Sequence, residues 1–192
     1  MTERPETMPD KDVVDLLLRQ HMEIRALFGE VAAARGDARA AAFDRLRRML
    51  AVHETAEEEV VHPYARRLMD GGGPMVDARL EEENRGKTIL AELVDIGPGG
   101  KGFGPRFEEL RTAVLEHARR EEEEEFPRIR ELATAEERRG MAAAVKAAQV
   151  LAPTRPHPGV ESASANLLVG PFAAVADRTR DAVRKAAGRR RG

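Results

Sequence analysis

Apolar side chains recur at steps of three and four along most of this chain, the spacing that puts them on one face of an α-helix. Val14, Leu17, Ile24, Phe28 and Val31 form the first such stripe, with His21 set into it. Asp10 reads as the N-cap of this helix, which runs to about Arg35 and stops at Gly36-Asp37. A second helix is expected from about Ala38 to Met69, with Leu46, Leu50, His53, Glu57, Val60, Tyr64 and Leu68 on its inner face. Pro63 removes a backbone donor, so a bend is expected near its end. Gly71-Gly72-Gly73-Pro74 breaks the pattern. A third helix follows from about Pro74 to Ile96, its inner face carrying Leu80, Asn84, Lys87 or Thr88, and Ala91.

After the glycine-rich stretch 97–105, a fourth helix is expected from about Arg106 to Leu132, with Leu110, Val114, His117, Glu121 and Glu124 inward. Four amphipathic helices joined by short connections predict an all-α, up-down-up-down four-helix bundle. Thr134-Ala-Glu-Glu137 has the form of a capping box and opens a fifth helix to about Leu151. The bundle unit is thus residues 1–151. Residues 152–192 read as a proline-containing linker (Pro153, Pro156, Pro158), a short amphipathic segment from Leu167 to Val183, and a basic tail.

Composition narrows the chemistry. The 192 residues are 42% hydrophobic and 34% charged, and include no cysteine. That removes disulfides, thiolate-held zinc and iron–sulfur centres, and cysteine nucleophiles. The net charge of −2 divides into 24 Lys+Arg against 31 Asp+Glu before residue 152, and 8 against 3 after it. An acidic body argues against nucleic acid as a partner. The basic amphipathic tail reads as a segment that docks over the end of its own bundle or of a second subunit, which would make a homodimer. The opening residues carry no apolar signal segment and no run approaches a membrane span, so cytoplasm is the expectation.

The polar residues on the apolar faces carry the most information. His53-x3-Glu57 and His117-x3-Glu121 repeat one spacing, 64 positions apart. Residues four apart on a helix share a face, so each pair aims an imidazole and a carboxylate at the same point. Burying Glu57 and Glu121 without a cation would cost several kcal/mol and set like charges together. A metal ion removes both objections, and this donor set suits iron or a similar transition metal better than calcium or magnesium. His62, nine residues from His53, would lie on the opposite side of an ideal helix, outside such a site. His157 falls in the linker and reads as solvated.

With His21 on helix one, His53-x3-Glu57 on helix two, and His117-x3-Glu121 followed by Glu122 and Phe126-Pro127 on helix four, the chain resembles the hemerythrin-like, HHE cation-binding proteins. The resemblance covers about Asp12 to Leu132. It implies a four-helix bundle around a non-haem di-iron centre, with His21, His53 and His117 as terminal ligands and Glu57 and Glu121 as bridging carboxylates. One position departs: where the family supplies a histidine from helix three, this chain reads Glu82-Glu83-Asn84. Asn84 offers only a carbonyl oxygen, so one firm metal position and a poorly held second one are expected. Glu54 and Glu83 are further ligand candidates. Tyr64 reads as a core residue that could also reach the site.

The resemblance implies binding or sensing of dioxygen, nitric oxide or peroxide. Decomposition of peroxide is the enzymatic alternative. A metal-free interaction module, with Lys87 buried between Glu57 and Glu121, is the other. No nucleophile–base constellation, phosphate loop or dinucleotide fingerprint is present.

Overall fold

The computed structural model describes residues 11–151. Among them there is no strand, and the helices form an up-down-up-down bundle with an added C-terminal helix. The N-terminal segment before Lys11, with Asp10, and everything after Leu151 lie outside the described residues. So do the linker, His157, the amphipathic segment and the basic tail.

Helix α1 spans Val13–Ala33. Its N-cap is Asp12 rather than Asp10, and the Asp12 carboxylate accepts from the amides of Val14 (3.0 Å) and Asp15 (3.2 Å). That satisfies two of the amides a helix start leaves unpaired. The predicted α1 stripe, His21 included, is buried throughout.

The second rod runs from Gly36 to Leu68 in three pieces: α2 (Gly36–Ala56), a π turn (Glu57–Val61) and α3 (His62–Leu68). The expected bend at Pro63 takes the form of this π turn, in which the His62 amide donates to the carbonyl five residues back, at Glu57. A proline ring clashes with the carbonyl four residues before it and brings no amide, so widening the preceding turn accommodates it.

The third rod is α4 (Gly72–Ile96). The fourth repeats the pattern of the second: α5 (Phe103–Arg120), a π turn (Glu121–Glu125) and α6 (Phe126–Leu132), with Pro127 in the place of Pro63. The 64-residue offset that relates the two histidine–glutamate pairs therefore also relates the two prolines and the two π turns.

Each π turn inserts one residue and changes what faces inward afterwards. Glu125, not Glu124, is buried in the fourth rod. In α4 the inner face is also offset by about one residue from the expected one. Val76, Arg79, Glu83, Gly86, Lys87, Leu90 and Leu93 are buried, while Asn84 is only half-buried.

The capping box at Thr134 is formed as predicted: the Glu137 amide donates to Thr134 Oγ1 (3.2 Å) and the Thr134 amide to Glu137 Oε2 (2.8 Å). It starts α7 (Ala135–Leu151), which packs on α1 and α2. Met141, Val145 and Ala148 of α7 join Val13, Leu17, Val61, Tyr64, Phe126 and Ile129 in one apolar cluster. A second cluster at the other end holds Ile24, Phe28, Leu46, Leu50, Leu90, Phe103, Phe107 and Leu110. Between these two dry ends the interior is polar.

Among the described residues no helix is long and apolar enough to cross a membrane.

The turn between the second and third rods uses two glycines differently. Gly71 has φ +73°, the left-handed region that glycine enters without a steric penalty. At Gly72 a Cβ would stand 2.9 Å from the carbonyl oxygen of Ala65 and 3.2 Å from Met69 Cβ. Gly72→Ala must push these backbones apart. We expect a loss of about 1–3 kcal/mol in urea unfolding of the full chain, the usual cost of overpacking.

Candidate metal centre

The polar layer between the two apolar clusters is built from all four rods. His21 comes from α1, His53 from α2, Glu57 and His62 from the first π turn and the residue after it, and Glu83 from α4. His117 comes from α5, and Glu121 and Glu125 from the second π turn. All eight are buried, and Glu57, Glu121 and Glu125 are wholly inaccessible.

Two sets of four donors emerge. One is His21, His53, Glu57 and Glu121; the other is Glu57, Glu83, His117 and Glu121. In each set one ligand atom from every residue lies within 4.8 Å of the others, and the two sets share Glu57 and Glu121. Imidazole Nε2 atoms approach the shared carboxylates closely: His21 to Glu121 Oε2 at 3.3 Å, His53 to Glu57 Oε2 at 3.3 Å, and His117 to Glu121 Oε2 at 3.4 Å.

All five residues predicted from the sequence meet here. Asn84 belongs to neither set; Glu83 stands where the missing helix-three donor was expected. The expected inward placement of Asn84 is thereby corrected: the Glu83 carboxylate faces the other donors instead.

His62 is the other correction. It is 1% exposed, with Nε2 2.6 Å from Glu83 Oε1 and Nδ1 3.2 Å from Glu125 Oε1. An ideal helix would set it about 180° from His53, but the inserted π residue takes back about 100°. With Glu121 and Glu125 it makes a third donor group. Pro63 was the available signal, since a proline in mid-helix announces a change of register as well as a bend.

The electrostatics follow from burial. Desolvation, then the charges of Glu121 and Glu83, push the Glu57 carboxyl well above its ordinary range. Burial drives the His53 ring well below its usual value, so it is a neutral imidazole. Burial also opposes charge on His117, but Glu121, Glu82 and Glu83 outweigh it and bring that ring up to about 9. Glu121 goes the opposite way: His117 and His21 overcome its desolvation and hold it below the carboxylate range.

Beside this layer lies a buried pair, Lys87 with Glu58. Lys87 therefore pairs with Glu58 rather than lying between Glu57 and Glu121, the placement that would have supported the metal-free alternative. Desolvation, then the neighbouring Glu83, raises Glu58 to about 9, and desolvation raises Glu54 to about 7.

Whether a metal fits can be judged from atoms left without hydrogen bonds. His21 Nε2, His117 Nε2, both oxygens of Glu57, both oxygens of Glu121, Glu83 Oε2 and Glu125 Oε2 are buried and make none. Buried polar atoms are nearly always satisfied, so a converging set of unsatisfied ones marks a place for a ligand. Every one is a nitrogen or oxygen donor of the kind a transition metal takes.

The opposite nitrogens are held. His21 Nδ1 lies 2.8 Å from Glu122 Oε1, His117 Nδ1 3.1 Å from Glu82 Oε2, and His53 Nδ1 3.0 Å from Gln20 Oε1. Holding Nδ1 leaves Nε2 free to face the centre, the usual arrangement around ligating histidines. Glu82 is itself fixed by Arg79 and Arg120.

A helical bundle with a buried histidine–carboxylate cluster shared among its four rods is the architecture of metal-binding bundle proteins. Residues 12–129 match the hemerythrin HHE cation-binding domain. The chain belongs to that family.

Among solved structures it is similar to a hemerythrin HHE cation-binding domain-containing protein of Mycobacterium kansasii. The TM-score is 0.65 at 19% identity, over 88% of this chain and 98% of the other, a likeness of fold. A DNA nickase of Nostoc sp. is 27% identical over 141 residues, which are 73% of this chain but 40% of the nickase. The chain thus spans well under half the length of that relative.

Protonation gives a test of the metal-free protein. Glu54 and Glu58, raised to about 7 and 9, and His117, raised to about 9, all bind protons more tightly folded than unfolded. Their contribution is present below their unfolded values and lost as pH rises through the folded ones. Glu82, held at about 2 by His117 and the arginines against its desolvation, acts in the opposite sense, below the ordinary glutamate range. Thermal unfolding of chelator-treated protein should therefore show a midpoint that falls as pH rises from about 5 to 9, with the loss due to His117 entering above about 6.5.

Proposed function

We propose that the chain is a hemerythrin-like iron protein with two metal positions, sharing Glu57 and Glu121, that binds or senses dioxygen, nitric oxide or peroxide. One observation carries this reading: two four-donor sets with two carboxylates in common, in which His21 Nε2, His117 Nε2, Glu83 Oε2 and all four oxygens of Glu57 and Glu121 are buried and without hydrogen bonds. In this reading His21 and His53 hold one position, His117 and Glu83 hold the other, and Glu57 and Glu121 serve both.

Iron bound there would supply one-electron redox chemistry and an affinity for small oxygen- and nitrogen-containing ligands. What the chain's residues contribute can be stated separately. The apolar clusters on either side exclude bulk water, which lowers the local dielectric and strengthens every charge interaction within. Glu122, Gln20 and Glu82 fix the rings so that Nε2 points inward. The buried Lys87–Glu58 pair places an ammonium close to Glu83 and Glu54, where it offsets negative charge.

Glu83 favours turnover of peroxide as a second reading. A carboxylate in place of a neutral imidazole stabilises the more highly charged ferric state and disfavours simple reversible carrying. Oxygen evolution from peroxide, lost in His117→Ala, would support it. The nickase name describes the cyanobacterial protein; the acidic balance of residues 1–151 opposes a DNA substrate here, and conversion of supercoiled plasmid to the relaxed form is the direct check.

Metal analysis decides the central point. After anaerobic supply of ferrous iron and removal of excess, about two irons per chain are expected in the wild type. Glu83→Ala should lower this to about one, and Asn84→Ala should leave it at two. Absence of bound iron, with an unchanged thermal midpoint, would sink the reading.

A further inference from the structure

The three terminal imidazoles are not held alike. His21 and His117 present Nδ1 to carboxylates, Glu122 and Glu82, which can only accept a hydrogen bond. Those partners fix Nδ1 as the protonated nitrogen by themselves. His53 presents Nδ1 to Gln20, a neutral amide with an acceptor at one end and a donor at the other. With its oxygen toward His53, Gln20 leaves Nε2 bare and inward; with its NH2 there, the proton would move to Nε2 and block it. Something must choose the end.

Gln149 of α7 supplies a second contact to that amide, a donor at its oxygen. Its Nε2 donates to the Gln20 oxygen at 3.0 Å, the same oxygen that stands 3.0 Å from His53 Nδ1; with that oxygen held toward the ring, Nδ1 is the nitrogen that carries the proton. Gln20 is 5% exposed, and α7 is packed against α1 and α2 through Met141, Val145 and Ala148, so the amide is fixed from three helices. Residue 149 lies beyond the segment 12–129 that matches the family domain. We infer that Gln149 is a positioning residue: acting through Gln20, the appended helix α7 sets the tautomer of His53 and thereby readies the His21/His53 position to take a metal. The inference about the metal rests on the reading given under Proposed function. The inference about the tautomer stands apart from it.

Two variants of the full chain separate the possibilities. In Gln149→Glu an acceptor replaces the donor, so the Gln20 amide must present its NH2 to the introduced carboxylate and to His53. In Gln149→Lys a donor is kept. The His53 ring is read by long-range nitrogen–proton NMR on chelator-treated protein. Protonated Nδ1 is expected in the wild type and in Gln149→Lys, and protonated Nε2 in Gln149→Glu.

Ferrous iron, titrated anaerobically against a competing chelator, should then bind one position at least about ten-fold more weakly in Gln149→Glu, with the other position retained. An unchanged Nδ1 tautomer in folded Gln149→Glu overturns the proposal. A lowered thermal midpoint with both tautomer and iron affinity unchanged would leave α7 a packing element only, and overturns it equally. If no variant and no wild type binds iron, the reading of the site fails while the tautomer result still decides the role of Gln149.

Discussion

Four glutamates, Glu57, Glu83, Glu121 and Glu125, are withdrawn from water at the middle of this bundle, and the rest of the structure answers to that fact. Taking an isolated carboxylate into a protein interior costs several kcal/mol, and setting several together adds repulsion. In the metal-free chain, protons and imidazoles offset this charge. Burial favours neutral rings, yet the surrounding carboxylates win at His62, His117 and His21 and draw all three upward. His62 is clamped between Glu83 and Glu125, and Lys87 against Glu58. A bound cation would do the same work at the cluster's centre, so metal and protons compete for one set of atoms.

The apolar ends make that competition consequential. The cluster that includes Tyr64, Phe126 and α7 closes one side, and the cluster around Phe28, Phe103 and Phe107 closes the other. The low dielectric between them amplifies charge, and both π turns fall within this polar layer. A regular helix brings one residue per turn to a given face. A π turn lets neighbouring positions share it, which is how Glu57 and Glu58 are both buried. The irregular backbone and the density of ligands are therefore one feature.

Much of this was legible in the sequence. Period-3.6 spacing predicted the four rods, the capping box predicted α7, and the repeated His-x3-Glu pairs with His21 predicted which side chains meet. What escaped were the consequences of a changed register. Counting at 100° per residue sends His62 outward and prefers Glu124 to Glu125; the π turns before Pro63 and Pro127 reverse both. In α4 the same counting, begun from Leu80, selected Asn84, whereas the helix turns Glu83 inward. The amphipathic signal there is weak because buried Arg79, Glu83 and Lys87 interrupt it. A site that buries charge erases the hydrophobic pattern by which its own helix would be read.

That erasure also explains why the outermost helix matters to the innermost chemistry. Nothing in the period of α7 links residue 149 to His53, which lies 96 positions earlier on a different rod. The connection exists only because Gln20 presents one oxygen to both. Ligand residues can be recognised from type and spacing, because coordination demands particular donors. The residues that orient those donors need only supply a hydrogen bond of the right polarity, which many side chains can do from many places. Geometry, not spacing, is what identifies them. In this bundle it ties α7 to the side of the buried cluster that carries His21 and His53.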